Sequence, residues 1–176
     1  MREKFNSLDS NDIVKSALFV YLNKHAFNGL CRYNRKGFFN VPYGRYKSPR
    51  FPREEMFDFA KKAKRAKFKC QDFEDTFKET REGDIIYCDP PYVPFSATSN
   101  FTSYSKDDFD LEDQCRLARN AEESRGRGIQ CIISNHDLRI TRQMYKKSKI
   151  YKISVQRIIA SKSASRKKVD EIIAVF

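Results

Sequence analysis

The stretch Asp84-Ile85-Ile86-Tyr87-Cys88-Asp89-Pro90-Pro91-Tyr92 decides how the rest of this 176-residue chain is read. A short apolar run stops at an acidic residue, two prolines and an aromatic. Residues 85–88 read as a buried strand ended by a breaker. Proline has no N–H for a ladder and stiffens the turn that follows. Asp89 and Tyr92 are therefore held at the carboxyl end of a strand, where open α/β sheets bind their ligands.

Working outward, the segments after this strand alternate. Residues 111–125 have a helical pattern that exits at Gly126 and Gly128, and 129–134 are an apolar strand ending in Asn135-His136-Asp137. Residues 139–146 read as a short helix. Strands at 150–159 and 169–176, with a basic loop and no helix between them, read as an antiparallel hairpin. Before the central strand, 67–70 read as a short strand and 74–79 as a helical turn. This is an α/β pattern built on a parallel sheet. Residues 93–110 form a long loop rich in Ser, Thr, Asn and aromatics, a length usual for functional loops. Asn135-His136-Asp137 is expected to be a strand-end turn network rather than a set of catalysts.

The first third reads differently. Residues 1–9 look like a loose lead-in. A helix is expected over 10–25, capped by Ser10, and Gly29 ends it. A loop or short hairpin follows to Tyr46. A second helix is expected over 52–65, opened by Pro52 and striped by Met56, Phe59, Ala60 and Ala63.

Charge separates the two parts. The net charge is +12, yet residues 1–69 hold 17 Lys/Arg against 6 Asp/Glu and residues 70–176 hold 18 against 17. No acidic residue lies between Asp12 and Glu54. Arginines there are interleaved with Phe27, Tyr33, Phe38, Phe39, Tyr43, Tyr46 and Phe51. A one-sided basic, aromatic segment is the footprint of a polyanion partner, read as nucleic acid. The alternatives are a solvated face and a small aromatic core beneath the loop.

Other classes are set aside. No apolar run approaches the roughly 18 residues of a membrane span, and no signal-type region follows Met1, so a soluble, cytoplasmic chain is expected. Five scattered cysteines suggest reduced thiols rather than a disulfide framework or a zinc site. No metal site is expected: Asp84 and Asp89 flank opposite ends of one strand, roughly 16 Å apart, which also weakens a hydrolase or nuclease reading.

An Asp on a stiff turn beside proline carbonyls and an aromatic face suits a planar exocyclic amine. Carboxylate and carbonyl accept its two N–H bonds, and the ring stacks on the heterocycle. Accepting both hydrogens turns the nitrogen lone pair toward an electrophile, and a base within a duplex must be flipped out to get there.

Asp89-Pro90-Pro91-Tyr92 resembles the DPPY motif of amino-group methyltransferases. Tyr21-Leu22-Asn23-Lys24-His25, Asn28-Gly29-Leu30-Cys31-Arg32-Tyr33-Asn34, Phe39-Asn40-Val41-Pro42-Tyr43-Gly44-Arg45-Tyr46, Ser96-Ala97-Thr98-Ser99-Asn100-Phe101-Thr102, Ile133-Ser134-Asn135-His136-Asp137 and Arg166-Lys167-Lys168-Val169-Asp170-Glu171 are similar to blocks of the Dam-type DNA adenine-N6 methyltransferases. The resemblance implies S-adenosylmethionine as methyl donor and the adenine of GATC as acceptor. It implies a catalytic pocket of Asp89, Pro90, Pro91 and Tyr92, with Asp72, Phe73 and Asp89 on the cofactor. It places Phe27, Asn28, Leu30, Arg32, Pro42, Arg45 and Tyr46 on DNA, with Leu30 as core and Arg45 as a solvated charge the structural alternatives. The implied architecture is a partial Rossmann-like sheet (67–176) preceded by a mostly helical target-recognition subdomain (11–66), behind a lead-in (1–10).

Two departures qualify it. The family's Phe-x-Gly-x-Gly turn, which lets the backbone approach the cofactor, has no counterpart among the six glycines. Lys162-Ser163 stands where the family tends to have Asn-Gly. The expectation is a chain carrying the acceptor half of an active site, inactive or weak alone. The alternatives are half of a split enzyme, with a second chain supplying the glycine-rich part, and a DNA-binding module that does not methylate.

Overall fold

The computed structural model describes residues 1–95, 109–156 and 168–176. The chain divides into two compact units, residues 1–69 and the described residues from Cys70 onward.

In the first unit, α1 (Arg2–Ser7) packs on α2 (Ile13–His25). Their shared core is Phe5, Leu18, Leu22, Ala26, Phe39 and Val41. The first residues are thus helical, not a loose lead-in, because Phe5 is buried and meets Phe39 edge-on at 5.8 Å. Asp12, not Ser10, caps α2, its carboxylate accepting from the Val14 N–H at 2.6 Å. A 3-10 turn (Phe27–Gly29) follows. The segment 30–46 then zips on itself through single bridges, Tyr33 to Phe39 and Ala26 to Tyr43. α3 (Arg53–Ala63) buries none of its residues, so the stripe at Met56 and Phe59 is exposed. Residues 67–70 form no strand. Lys67 and Lys69 alternate there with an exposed Phe68, and no neighbouring strand pairs with them among the described residues.

The second unit is mixed α/β. After α4 (Phe73–Glu79) come β1 (Ile85–Cys88), α5 (Leu111–Gly126), β2 (Gln130–His136), α6 (Arg139–Met144), β3 (Lys149–Gln156) and β4 (Lys168–Val175). The four strands lie in the order β1-β2-β4-β3. β1 and β2 are parallel, whereas β4 runs antiparallel to both β2 and β3. The last two strands thus pair directly, as the absence of an intervening helix predicts.

α5 opens with a reciprocal cap between Asp110 and Asp113. It buries Gln114, Leu117, Ala118, Ala121 and Ser124 along one stripe and packs on β2. The covered sheet face carries Ile86, Cys131, Ile133, Ile172 and Ala174, all in one core cluster. On the opposite face Ile85 is 67% and Tyr87 62% exposed, and Tyr151 and Ile153 are exposed as well. β1 pairs only with β2 among the described residues. No helix among them is long and apolar enough to cross a membrane.

Candidate functional site

β1 ends at Cys88, and the next residues leave the sheet as a proline turn. Four neighbours hold that turn. Ser134 on β2 donates from Oγ to Asp89 Oδ1 at 2.7 Å, which fixes the carboxylate. Gln114 on α5 donates from Nε2 to the Pro91 carbonyl at 2.6 Å. Asn135 on β2 accepts from the Val93 N–H at 3.0 Å, and the His136 ring nitrogen Nδ1 lies 2.7 Å from the Val93 carbonyl. Tyr92, half-buried, meets the His136 ring edge-on at 4.9 Å, and burial pushes its phenol above the ordinary value.

These supports are themselves buried and paired. Asn135 is fully buried; its Nδ2 donates to Gln114 Oε1 at 3.1 Å and to the Tyr145 hydroxyl at 3.0 Å. Its Oδ1 accepts from the His136 N–H in addition to that of Val93. Burial pushes the Tyr145 phenol up to about 12. A buried polar network is stabilising when every member has its partners, and no buried side-chain polar atom among the described residues lacks one. Asp137 pairs with Arg142, whose guanidinium holds the carboxyl below the usual range. The expected strand-end network is present. Ser134, Gln114 and Tyr145 were not anticipated as its members. Gln114 had a signal: a polar residue on the apolar stripe of α5.

Beside the turn is a cavity of about 260 Å³, lined by Phe73, Phe77, Tyr87, Cys88, Asp89, Pro90 and Phe109 among others. Phe73 and Asp89, both expected at the cofactor, thus face one space. Asp72 does not line it. Its carboxylate caps α4 through the Glu74 N–H at 2.8 Å and takes a two-pronged contact from Arg116 at 3.1 Å. The Glu74 amide, then Arg116, hold the Asp72 carboxyl below its ordinary value. Arg116 also lies over the Phe73 ring, 4.3 Å from its centroid. Among the described residues no group of three or more His, Cys, Asp or Glu side chains is gathered for a metal.

In the first unit Phe27, Asn28, Leu30, Arg32, Pro42, Arg45 and Tyr46 are all exposed. Leu30, at 40% exposure, is not core. The backbone orders them: Phe27 N–H bonds the Pro42 carbonyl at 2.9 Å, Gly44 N–H the His25 carbonyl at 2.7 Å, and Asn40 N–H the Arg32 carbonyl at 3.1 Å. Gly44 is required, since a Cβ there would lie 2.4 Å from the Tyr46 ring. Arg32 is held by Asn40, whose Oδ1 accepts from Nε at 2.9 Å. Asn28 and Arg45 adopt left-handed backbone, φ 53 and φ 54. Asn tolerates this; for Arg it costs about 1 kcal/mol or more, and such strain gathers at functional positions. The resemblance blocks over 96–102 and at 166–167, and Lys162-Ser163, lie outside the described residues.

Comparison with known proteins gives this arrangement a family. The model of the D12 class N6 adenine-specific DNA methyltransferases matches residues 1–159. The DNA adenine methylase of Escherichia coli (strain K12) is 46% identical over 175 residues, covering 99% of this chain and 63% of the relative. That of Vibrio cholerae serotype O1 is 47% identical over 177 residues, covering 100% and 64%. That of Serratia marcescens is 44% identical over 180 residues, covering 100% and 65%. The chain therefore spans a little under two thirds of the length of these curated relatives. With a family model matched over nine tenths of its residues, the chain belongs to the D12 class N6 adenine-specific DNA methyltransferases.

Proposed function

We propose that this chain carries the adenine-acceptor and DNA-recognition parts of a DNA adenine-N6 methyltransferase that uses S-adenosylmethionine and takes the adenine of GATC. The observation that carries the reading is the clamped turn. Asp89 is oriented by Ser134, and Pro91 and Val93 are pinned by Gln114, Asn135 and His136. A flipped adenine donates its two N6 hydrogens to the Asp89 carboxylate and the Pro90 carbonyl, and the Tyr92 ring stacks on the base. Both acceptors sit on backbone that cannot drift, so the lone pair is aimed without reorganisation in the transition state.

S-adenosylmethionine supplies the methyl group on its sulfonium. Phe73, Phe109, Asp89 and Pro90 would hold it, an aromatic and carboxylate lining that suits an adenosyl group beside a cation. At about 260 Å³ the cavity is below the roughly 300–1,000 Å³ of ligand pockets, so it takes part of such a molecule. The remainder belongs to a segment with the glycine-rich turn of the family. The unpaired edge of β1 and the exposed Ile85 and Tyr87 beside it are where that segment completes a Rossmann-like sheet. It is found on the same polypeptide or on a second chain.

Residues 11–66 are then the target-recognition part, with Phe27 as a wedge, Arg32 and Leu30 at base edges, and Arg45 and Tyr46 nearby. Methyl transfer to GATC and scrambled duplexes, with and without the glycine-rich segment added, tests the whole. Transfer to GATC that rises with the segment is expected. Duplex binding with no transfer under either condition would leave a DNA-binding module instead.

A further inference from the structure

The proposed chemistry does not use the thiols at the foot of the clamped turn. Cys88 closes β1 and Cys131 lies on β2, their Sγ atoms 3.9 Å apart. Cys131 is fully buried, whereas Cys88 is half-buried and lines the cavity beside Asp89. The sequence reading put both in strands as inert reduced thiols; it did not bring them together, because pairing depends on the register of two strands 43 residues apart. With Ile86 opposite Cys131 and Cys88 opposite Ile133, the two side chains share one face on a diagonal.

We propose that Cys88 and Cys131 form an oxidation site at which a peroxide, entering from the cavity, joins β1 to β2 by a disulfide. The Cys88 sulfur attacks one peroxide oxygen and the O–O bond breaks. Cys88 becomes a sulfenic acid and the other oxygen leaves as water. The Cys131 sulfur then attacks the Cys88 sulfur, the S–O bond breaks, and the departing oxygen takes the Cys131 proton to leave as a second water. Two thiols are oxidised and one peroxide is reduced.

The roles are asymmetric for a physical reason. Cys88 lines the cavity and Cys131 is buried behind it, and the contact between the sulfurs lowers the Cys88 value and raises that of Cys131. Cys88 is therefore the sulfur that ionises and meets the oxidant, and Cys131 the one that resolves it. A disulfide needs the sulfurs at about 2.05 Å, so one strand must give. Among the described residues β2 is paired on both sides and β1 on one, so β1 moves. Asp89 follows Cys88 directly, and the bond from Ser134 to Asp89 is strained or lost. The pairing stands on geometry alone; its effect on Asp89 rests on the acceptor-turn reading above.

The full chain, reduced and then treated with hydrogen peroxide, provides the test. Tryptic peptides 82–106 and 128–139 each hold one cysteine, Cys88 and Cys131. Mass spectrometry is expected to find them linked, with the link reversed by dithiothreitol. In Cys131→Ala, Cys88 is expected to stop at a sulfenic acid that dimedone traps. If peroxide oxidises the exposed Cys31, Cys70 and Cys115 while these two peptides stay unlinked, the site is refuted, whether or not the variant folds. The amides of Asp89, Tyr92 and Val93 are expected to exchange faster in the linked chain. Unchanged exchange in a linked chain overturns the coupling to Asp89.

Discussion

The two units of this chain treat polar and aromatic groups in opposite ways. The second buries Gln114, Ser124, Ser134, Asn135, His136 and Thr141, and four of them, Gln114, Ser134, Asn135 and His136, hold one turn. Among its described residues the first unit buries no polar side chain, and it leaves Phe27, Tyr33, Phe38, Tyr43, Tyr46 and Phe51 at the surface. Its segment 30–46 is ordered by backbone bonds and by Phe39 and Val41, which it lends to a small core. The difference teaches where each unit puts its free energy. The second makes one small feature immobile, as the proposed positioning of a reacting nitrogen would require. The first displays rings and guanidinium groups on an ordered but thinly packed frame, as the proposed meeting with a duplex would require.

If that division is right, Asp89→Ala gives the largest effect. In any form of the protein that methylates, the rate should fall about 10³-fold, at the upper end of what removing one positioned group costs. Duplex affinity should stay within about twofold, since Asp89 belongs to the other unit. A parallel loss of affinity in an anisotropy titration would break the separation of roles.

Next in size is Asn135→Ala, which orphans the Val93 N–H and leaves Gln114 Oε1 and the Tyr145 hydroxyl only their long bond to each other, at 3.4 Å. At about 1–3 kcal/mol for each unsatisfied buried group, a loss of about 3 kcal/mol or more is expected. A shift in the urea midpoint at constant slope reads it. Asn40→Ala, which removes only the side-chain acceptor of the exposed Arg32 and keeps the carbonyl, should cost under about 1 kcal/mol. Equal losses would mean that the two units are not built differently.

Tyr145 extends the test to pH. Its folded value, about 12, lies above the ordinary tyrosine value of about 10, so the folded state holds the proton more tightly. The stability this gives is fully present below about pH 10 and is lost as pH rises through about 12, some 2–3 kcal/mol in all. Denaturation midpoints of the wild type should fall across that window. Tyr145→Phe, lower at neutral pH for want of the hydroxyl, should lack that part of the fall.

The second unit was more legible in sequence than the first. The strand from Ile85 to Cys88 and its proline turn declared themselves, because an apolar run stopped by Pro-Pro has few other readings. The β3–β4 pair followed from the missing helix. The clamp did not, since Ser134, Gln114 and Tyr145 come together only through sheet register and helix packing, and polar residues on different elements leave no local pattern. In the first unit Phe5 was misread because six residues hold too little periodicity to announce a helix that tertiary contact stabilises. Lys67 to Cys70 was misread because alternation suggests a strand even where no partner strand lies alongside.

The smallest expected effect probes the surface of the first unit. The Arg32 guanidinium is already oriented, by the Asn40 side chain and its carbonyl. Orientation removes part of the entropy that an arginine loses on engaging a guanine edge. Arg32→Ala should therefore weaken binding to a GATC duplex by about 1–2 kcal/mol, near the lower part of the range for a base contact. It should weaken binding to a scrambled duplex much less. Arg45→Ala, if Arg45 meets phosphate, should weaken both duplexes alike and reduce the slope of log affinity against log salt by about one. The pair discriminates between a reading surface and a merely basic one. Identical losses on both duplexes for both variants would leave the first unit an electrostatic anchor and move sequence discrimination elsewhere. A loss confined to GATC for Arg32, with the salt slope unchanged, would fix it as the residue that reads the site.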